Sequence, residues 1–371
     1  MASFHQTRLV KIFPVLAGTM NNEHDRVARA ELARRIARLG GATFVEHEPS
    51  TVREPDDPHH TLFIPPGTIE LAVAVQLGIR NESQIYGGVV PHGFVGSKVI
   101  THPLFQPNDS IPTGWRPELG AALAPYVLSG WSAFDIDTVR AASLDLLQHG
   151  SIRLKEVEAT AGLGQYVATS PQGLEEAIAQ LDAKNIARHG VVIEQNLDNV
   201  VTYSVGMTCL FGETISYWGT QRLATNNEGA VVYGGSTLHV VRGGFQQLAA
   251  LELADDLKQA IEKAIAYDAI VSKFYPELMA SRRNYDVAAG VNATGEMRVG
   301  VLEQSWRAGG ASGAEIAAFE AFARDRERST VTCATMEIYG EVDAAPEGST
   351  LYYSGIDPVA GPMTKYAMEL E

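Results

Sequence analysis

The residues best placed to do chemistry gather in residues 283–315, which read RNYDVAAGVNATGEMRVGVLEQSWRAGGASGAE. A short run over 285–290 leads into Gly-Val-Asn-Ala-Thr-Gly, a sequence with turn chemistry. Residues 297–306 are apolar and β-branched enough to predict a second strand. The two strands make a hairpin carrying one carboxylate each, Asp286 and Glu303. Residues two apart on a strand share a face, so Glu303, Ser305 and Arg307 point the same way. A fitting register sets Asp286 beside Glu303. Two acids, a hydroxyl and a guanidinium on one face suit a magnesium ion and the phosphates it bridges. Magnesium takes one or two carboxylates and completes its shell with phosphate oxygens and water. A solvated face of ordinary surface charges has the same pattern.

A second group lies upstream. Residues 152–157 predict a strand, followed by a small-residue turn containing Gly162 and Gly164 and a second strand over 166–168. Glycine has no side chain to keep an anion from backbone N–H groups, and Lys155 on the entering strand can reach a phosphate. No Gly-Lys-Ser/Thr precedes a helix, and the glycines lead into a strand, so neither the P-loop nor the dinucleotide fingerprint is present. A plain β-hairpin with a glycine turn reads identically. Lys98, between a small-residue turn and an apolar run, either reaches a phosphate or faces water. Arg222 and Arg242 flank a loop over 226–235 and suit either a bidentate grip on a substrate carboxylate or surface ion pairs. His92 and His102, on either side of Lys98, read as structural, and His59 and His60 as solvated. Tyr217 and Trp218 read as core. Side-chain nucleophiles find no support: there is no G-x-S-x-G elbow, and neither Cys209 nor Cys333 has a nearby histidine or metal-ligand spacing.

The elements that must position these residues alternate. Strand-like runs at 9–16, 44–45 and 61–64 surround helices at 22–39 and 68–77, predicting a small α/β unit with a parallel sheet. A proline-rich linker, QPNDSIPTGWRP, follows. Helices are expected over 137–148, 174–186, 249–274 and 314–328, and strands over 190–198, 200–210, 214–220, 237–241, 331–339 and 350–353. Residues 357–371 carry no assignment.

With 371 residues, 45% hydrophobic and 20% charged, the chain is long enough for two or three domains. A formal net charge of −15 argues against nucleic acid as a partner. The N-terminal residues lack a signal peptide's apolar segment, and no apolar run approaches the ~18 residues of a membrane span, so a cytoplasmic protein with no membrane partner is expected.

Taken in order, these pieces resemble an ATP-grasp protein of the carboxylate–amine ligase and biotin-carboxylase type, over residues 87–315. More narrowly, GGVVPHGFVGSKVITHPLF and RNYDVAAG…VLEQSWRAGGASGAE resemble an uncharacterised subgroup of that superfamily. The resemblance implies an α/β (α+β) fold, with an N-terminal α/β domain over 1–105, a central subdomain over 106–190, a C-terminal subdomain over 191–371, and nucleotide between the last two. It implies that Lys98 and Lys155 contact the nucleotide, that Gly162 and Gly164 belong to the loop closing over the phosphates, and that Glu194, Gln195 and Leu197 border the adenine. Asp198 is implied to touch the ribose. Asp286, Glu303 and Ser305 stand where the family holds its metal, with Ser305 in place of the usual asparagine of Glu-x-Asn-x-Arg. Arg307 stands where the transferring phosphoryl is stabilised, and Gly310 in a backbone turn facing the developing oxyanion. The implied cofactors are ATP and Mg2+, with Mn2+ as a substitute. The implied activity is an ATP-dependent ligase that activates a small-molecule carboxylate as an acyl phosphate for an amine or similar nucleophile. An ATP-grasp kinase and a nucleotide-binding relative without ligase activity are the alternatives, and a homodimer is common among such proteins.

Overall fold

The computed structural model describes residues 7–12, 22–46, 60–106, 111–158, 164–340 and 345–370. The chain begins with β1 (Leu9–Ile12), α1 (Glu23–Gly40), β2 (Thr43–Val45) and β3 (Thr61–Ile64). They form a three-stranded parallel sheet in the order β2-β1-β3, the α/β unit expected from the alternation. β4 (Ile69–Glu70), α2 (Leu71–Gln76) and β5 (Gly88–Val90) follow. The helix predicted over 68–77 starts late because residues 69–70 pair with β5 as a strand. Two 3-10 turns, Gly93–Gly96 and Lys98–Thr101, then carry the chain past Lys98.

α3 (Pro117–Leu123), in a stretch given no sequence assignment beyond the linker, leads to β6 (Gly130–Ala133), α4 (Ile136–Leu147), β7 (Ile152–Glu156) and β8 (Gln165–Ala168). The cap of α4 is Asp135, whose carboxylate accepts from Thr138 N–H, two residues before the expected Asp137. The single helix expected over 174–186 is two, α5 (Pro171–Ile178) and α6 (Ala183–His189), each begun by a side-chain cap from Ser170 and Asp182. β9 (Val191–Gln195) completes a four-stranded antiparallel sheet in the order β6-β9-β7-β8. A division of the chain at residue 190 would part β9 from both of its neighbours.

Long strands dominate the remainder: β10 (Asp198–Leu210), β11 (Glu213–Thr225) and β12 (Val231–Arg242). The loop expected over 226–235 is a tight turn, because the Asn226 carboxamide accepts from Glu228 and Ala230 N–H and lets β12 start at Val231. α7 (Phe245–Ala249) and α8 (Asp255–Phe274) replace the single helix expected over 249–274. Asp255 and Asp256 in the first turn of α8 favour a new N-terminus there. β13 (Met279–Ala280) pairs with β5. β14 (Arg282–Val291), β15 (Met297–Ser305), α9 (Ser312–Arg324), β16 (Thr330–Tyr339), β17 (Thr350–Asp357) and β18 (Gly361–Leu370) complete the order. β18 occupies the stretch left unassigned by sequence. The long strands form one eight-stranded sheet, β15-β14-β10-β11-β12-β16-β18-β17.

One face of that sheet packs on α8 and the turns around Lys98. The other packs on α1 and α9. The predicted metal hairpin is thus the sheet's edge, where β15 lies against residues 127–128 of the segment entering the four-stranded sheet.

Candidate functional site

The hairpin register places Asp286 directly opposite Glu303, as the spacing predicts, and Asn284 opposite Ser305. A bulge after Asp286 leaves Leu302 without a partner and locally resets the pairing. Asp286 Oδ1 receives the Asn284 carboxamide at 3.1 Å and the Ser204 hydroxyl at 3.4 Å, and Gln221 Nε2 donates to Ser204 Oγ at 3.1 Å. Burial and the facing Glu303 push the Asp286 carboxyl above its ordinary range, against the hydrogen bonds that favour its charge. Burial works the same way on Glu303, but Lys98 and Lys155 outweigh it and hold Glu303 low. Among the described residues no three His, Cys, Asp or Glu side chains converge as a cation site. The pair Asp286 and Glu303 would therefore need neutral oxygens or phosphates to complete a shell, which is the magnesium pattern.

Lys98 is buried, not solvated, and its ammonium lies 2.9 Å from Glu303 Oε2. Gln304 fixes that approach. Its amide donates to Val95 O at 3.0 Å and Ser97 O at 2.7 Å, while its oxygen accepts from Tyr267 OH at 2.8 Å. Because Gln304 follows Glu303 on β15, the same peptide that presents the carboxylate also anchors the turn presenting the lysine. Nothing in the sequence pointed to this residue, since its partners are backbone carbonyls about 200 residues away.

On the four-stranded sheet, Lys155 Nζ lies 2.5 Å from Glu194 Oε1, and His102 Nε2 lies 3.3 Å from Glu194 Oε2. All three side chains are buried. Burial opposes charge on Glu194, yet Lys155 and His102 together hold its carboxylate below the usual range. Gly164 closes the turn into β8 with φ +60°, a conformation glycine adopts without strain. Gly162 lies outside the described residues, as does His59. At the end of β9 and just after it, the N–H groups of Gln195 and Asn196 are spent on Ser129 O and Ser151 O, Leu197 is buried among Leu128, Ala288 and Leu302, and Asp198 is exposed.

A buried polar network stands behind the site. Arg282 and Glu315 pair within 2.7 Å, and Arg282 also donates to Ser305 O at 3.1 Å and Arg307 O at 2.6 Å. Glu315 accepts further from Tyr86 at 2.7 Å, Tyr217 at 2.8 Å and Thr208 at 3.1 Å. Burial disfavours a charge on Glu315, but Arg282 and the hydroxyls hold its carboxylate low. The network thus grips the backbone on both sides of Trp306, which is itself fully buried with its indole N–H 3.2 Å from Tyr285 OH. Arg307 follows, and burial together with neighbouring Arg282 lowers its affinity for its proton. Gly310 is exposed, and a Cβ there would lie 2.3 Å from the Tyr233 ring. The neighbouring Gly309 N–H is taken by Ser312 Oγ at 3.0 Å.

Of the two readings open for Arg222 and Arg242, a substrate grip or surface ion pairs, Arg242 takes the second, with Glu213. Gln221 reaches the Asp286 face through Ser204, so alternation sends Arg222 to the opposite face, where it ends exposed against Met336 Sδ at 3.8 Å. Arg242 is committed elsewhere. It bonds Arg328 O at 3.2 Å, Phe322 O at 3.1 Å and Glu213 at 3.2 Å, and its guanidinium lies over the Phe322 ring, capping the end of α9. Neither arginine faces the hairpin carboxylates.

Residues 15–367 match the family described as Protein of unknown function (DUF3182). No curated protein matches the sequence. Among solved structures, N5-carboxyaminoimidazole synthetase from Staphylococcus aureus complexed with ADP superposes with a TM-score of 0.54 at 13% identity, covering 99% of this chain and 95% of that one. Phosphoribosylamine–glycine ligase from Thermotoga maritima gives 0.53 at 12%, covering 98% and 91%. A biotin carboxylase–β,γ-ATP complex from Campylobacter jejuni gives 0.51 at 11%, covering 98% and 87%. The fold is the ATP-grasp fold.

Proposed function

The chain belongs to the DUF3182 family, and we propose that it is an ATP-grasp ligase that binds magnesium-ATP where the four-stranded sheet meets the hairpin of the large sheet. The observation that carries this reading is the facing carboxylate pair Asp286 and Glu303, with Lys98 2.9 Å from Glu303 and Lys155 on the other sheet 2.5 Å from Glu194. Because Lys98 is held by Glu303 and Lys155 by Glu194, a magnesium triphosphate would bind by exchange, its metal taking Asp286 and Glu303 and its phosphates taking the released cations. Similar structures bound to ADP or to β,γ-ATP, and that of phosphoribosylamine–glycine ligase, support the reading at the level of class.

In this reading Asp286 and Glu303 would hold the cation, which when bound supplies charge neutralisation across the β- and γ-phosphates. Lys98 would leave Glu303 for a phosphate oxygen. Lys155, held by Glu194, would meet the phosphates from the opposite sheet. Arg307, its backbone clamped by Arg282, would face the transferring phosphoryl group. A substrate carboxylate oxygen attacks the γ-phosphorus, the bond to the β–γ bridging oxygen breaks, and ADP leaves. An amine then attacks the acyl phosphate carbon, the carbon–oxygen bond breaks, phosphate departs, and the amine gives up its proton. We place the subdomain boundary after Gln195 rather than at residue 190, because β9 belongs to the four-stranded sheet.

The test is calorimetric titration with magnesium and a non-hydrolysable ATP analogue, followed by an ADP-release screen over carboxylates and amines with hydroxylamine to trap an acyl phosphate. Nucleotide binding with hydroxamate formation is expected. Absence of nucleotide binding, or a stable phosphorylated product in place of hydroxamate, would overturn the ligase reading.

A further inference from the structure

Ser305 is too short and too singly polar to replace an amide ligand, yet an amide stands directly across the hairpin from it. Asn284 pairs with Ser305 in the β14–β15 register, is buried, and shares its strand face with Asp286.

The hydrogen bonds around Asn284 leave its carboxamide two orientations, one without a cation and one with it. Tyr217 OH lies 2.8 Å from Glu315 Oε1 and 3.0 Å from Asn284 Oδ1 as placed. A phenol has one proton and Glu315, paired with Arg282, can only accept. The Tyr217 proton therefore serves Glu315, and its oxygen is left to accept from Asn284. As placed, the amide nitrogen donates to Asp286 Oδ1 at 3.1 Å; a half-turn of the carboxamide, made when a cation replaces that hydrogen bond, would give Tyr217 its donor and turn the amide oxygen toward Asp286. Two acceptor oxygens would then face each other at a buried position, an arrangement a cation between them satisfies. Their spacing agrees with this, since adjacent oxygens of an octahedral magnesium, each ~2.1 Å from the ion, lie roughly 3 Å apart. Gly206, opposite Tyr217, makes the arrangement possible: a Cβ there would lie 2.3 Å from the Tyr217 hydroxyl.

We propose that Asn284 is the amide-oxygen ligand of the cation held by Asp286 and Glu303, the amide having moved across the hairpin from position 305 to position 284. The proposal rests on the magnesium-ATP reading of the site. It assigns Ser305 no direct role in holding the ion, and gives Tyr217 and Glu315 the task of orienting the ligand from behind, as outer-shell partners commonly do.

The experiment is Mn2+ binding to the full chain with a non-hydrolysable ATP analogue, read by electron paramagnetic resonance of free Mn2+. Asn284→Ser is expected to weaken Mn2+ binding at least tenfold, Ser305→Ala to change it less than twofold, and the swap Asn284→Ser with Ser305→Asn to recover most of the loss. Asn284→Asp, which keeps an oxygen at the same reach, is expected to bind at least as tightly as the parent chain. Thermal melting of each variant separates a misfolded protein from an altered site. Unchanged binding in Asn284→Ser, or a tenfold loss in Ser305→Ala, overturns the proposal while leaving the magnesium-ATP reading intact. Unchanged binding in Asp286→Asn and Glu303→Gln sinks both.

Discussion

Lys98 Nζ sits 2.9 Å from Glu303 Oε2, so the carboxylate offered to a cation is already held by a buried ammonium. An incoming metal must displace Lys98, and the freed ammonium needs a new anion within reach. Nucleotide phosphate meets that need, which couples metal and nucleotide binding. Lys98→Met should therefore bind Mn2+ alone more tightly than the parent chain, having lost the competitor, and the ATP analogue at least tenfold more weakly. Paired titrations in which both affinities move the same way would contradict the exchange.

Gln304 should behave as a positioning residue. Gln304→Leu keeps the volume but removes the hydrogen bonds to Val95 O, Ser97 O and Tyr267. Each such bond contributes about 0.5–1.5 kcal/mol. Part of that loss should appear as a displaced Lys98, raising the KM for ATP about tenfold. The KM of the carboxylate substrate should stay nearly constant, and equal rises in both would indicate general loosening.

The hairpin was legible in sequence because a strand's period of two and a glycine turn nearly determine its register, and Asp286 does face Glu303. The arginines were not legible. Arg222 sits at a register shift between Arg222 and Leu223, and its face depends on pairing with β12. Arg242 finds its partners on a helix 80 residues on. Lys155 and Glu194 stood out singly as nucleotide contacts, but their pairing follows from β7 and β9 being neighbours, a tertiary fact. β18 escaped notice because buried Thr364 and Lys365 break its apolar pattern, Lys365 being held by Asp25 and Glu337.

The Arg282–Glu315 pair should dominate stability. Removing one partner of a fully buried pair leaves an unpaired charge and costs about 3–5 kcal/mol. Glu315→Gln should accordingly lower the melting temperature sharply, and Arg282→Met combined with Glu315→Leu should not restore it, because Tyr86, Tyr217, Thr208 and the Ser305 and Arg307 carbonyls lose their partners. The sign of the pH dependence follows. The folded-state carboxyl is held low, so its stabilisation is complete above the unfolded value of about 4.3 and fades as pH falls through the folded value. The gap in melting temperature between parent and Glu315→Gln should be widest near neutral pH and close on acidification below about 4. A gap that widens toward acid would show the opposite linkage.

Lys155 and Glu194 separate stability from binding in one set of variants. In Lys155→Met the buried Glu194 keeps only His102 as a partner, so the chain should lose stability and nucleotide affinity together. In Glu194→Gln the reverse holds, with Lys155 left buried without its anion. Combining Lys155→Met with Glu194→Gln removes both charges, and a well-packed neutral pair restores much of the stability. Binding should not follow, because the phosphate still lacks its ammonium. Melting curves and analogue titrations on the three variants therefore give a sharp expectation: the double variant melts closest to the parent chain and binds as poorly as Lys155→Met. If its nucleotide affinity recovers along with its stability, Lys155 serves only to neutralise Glu194, and the phosphate contact must come from Lys98 and Arg307 alone.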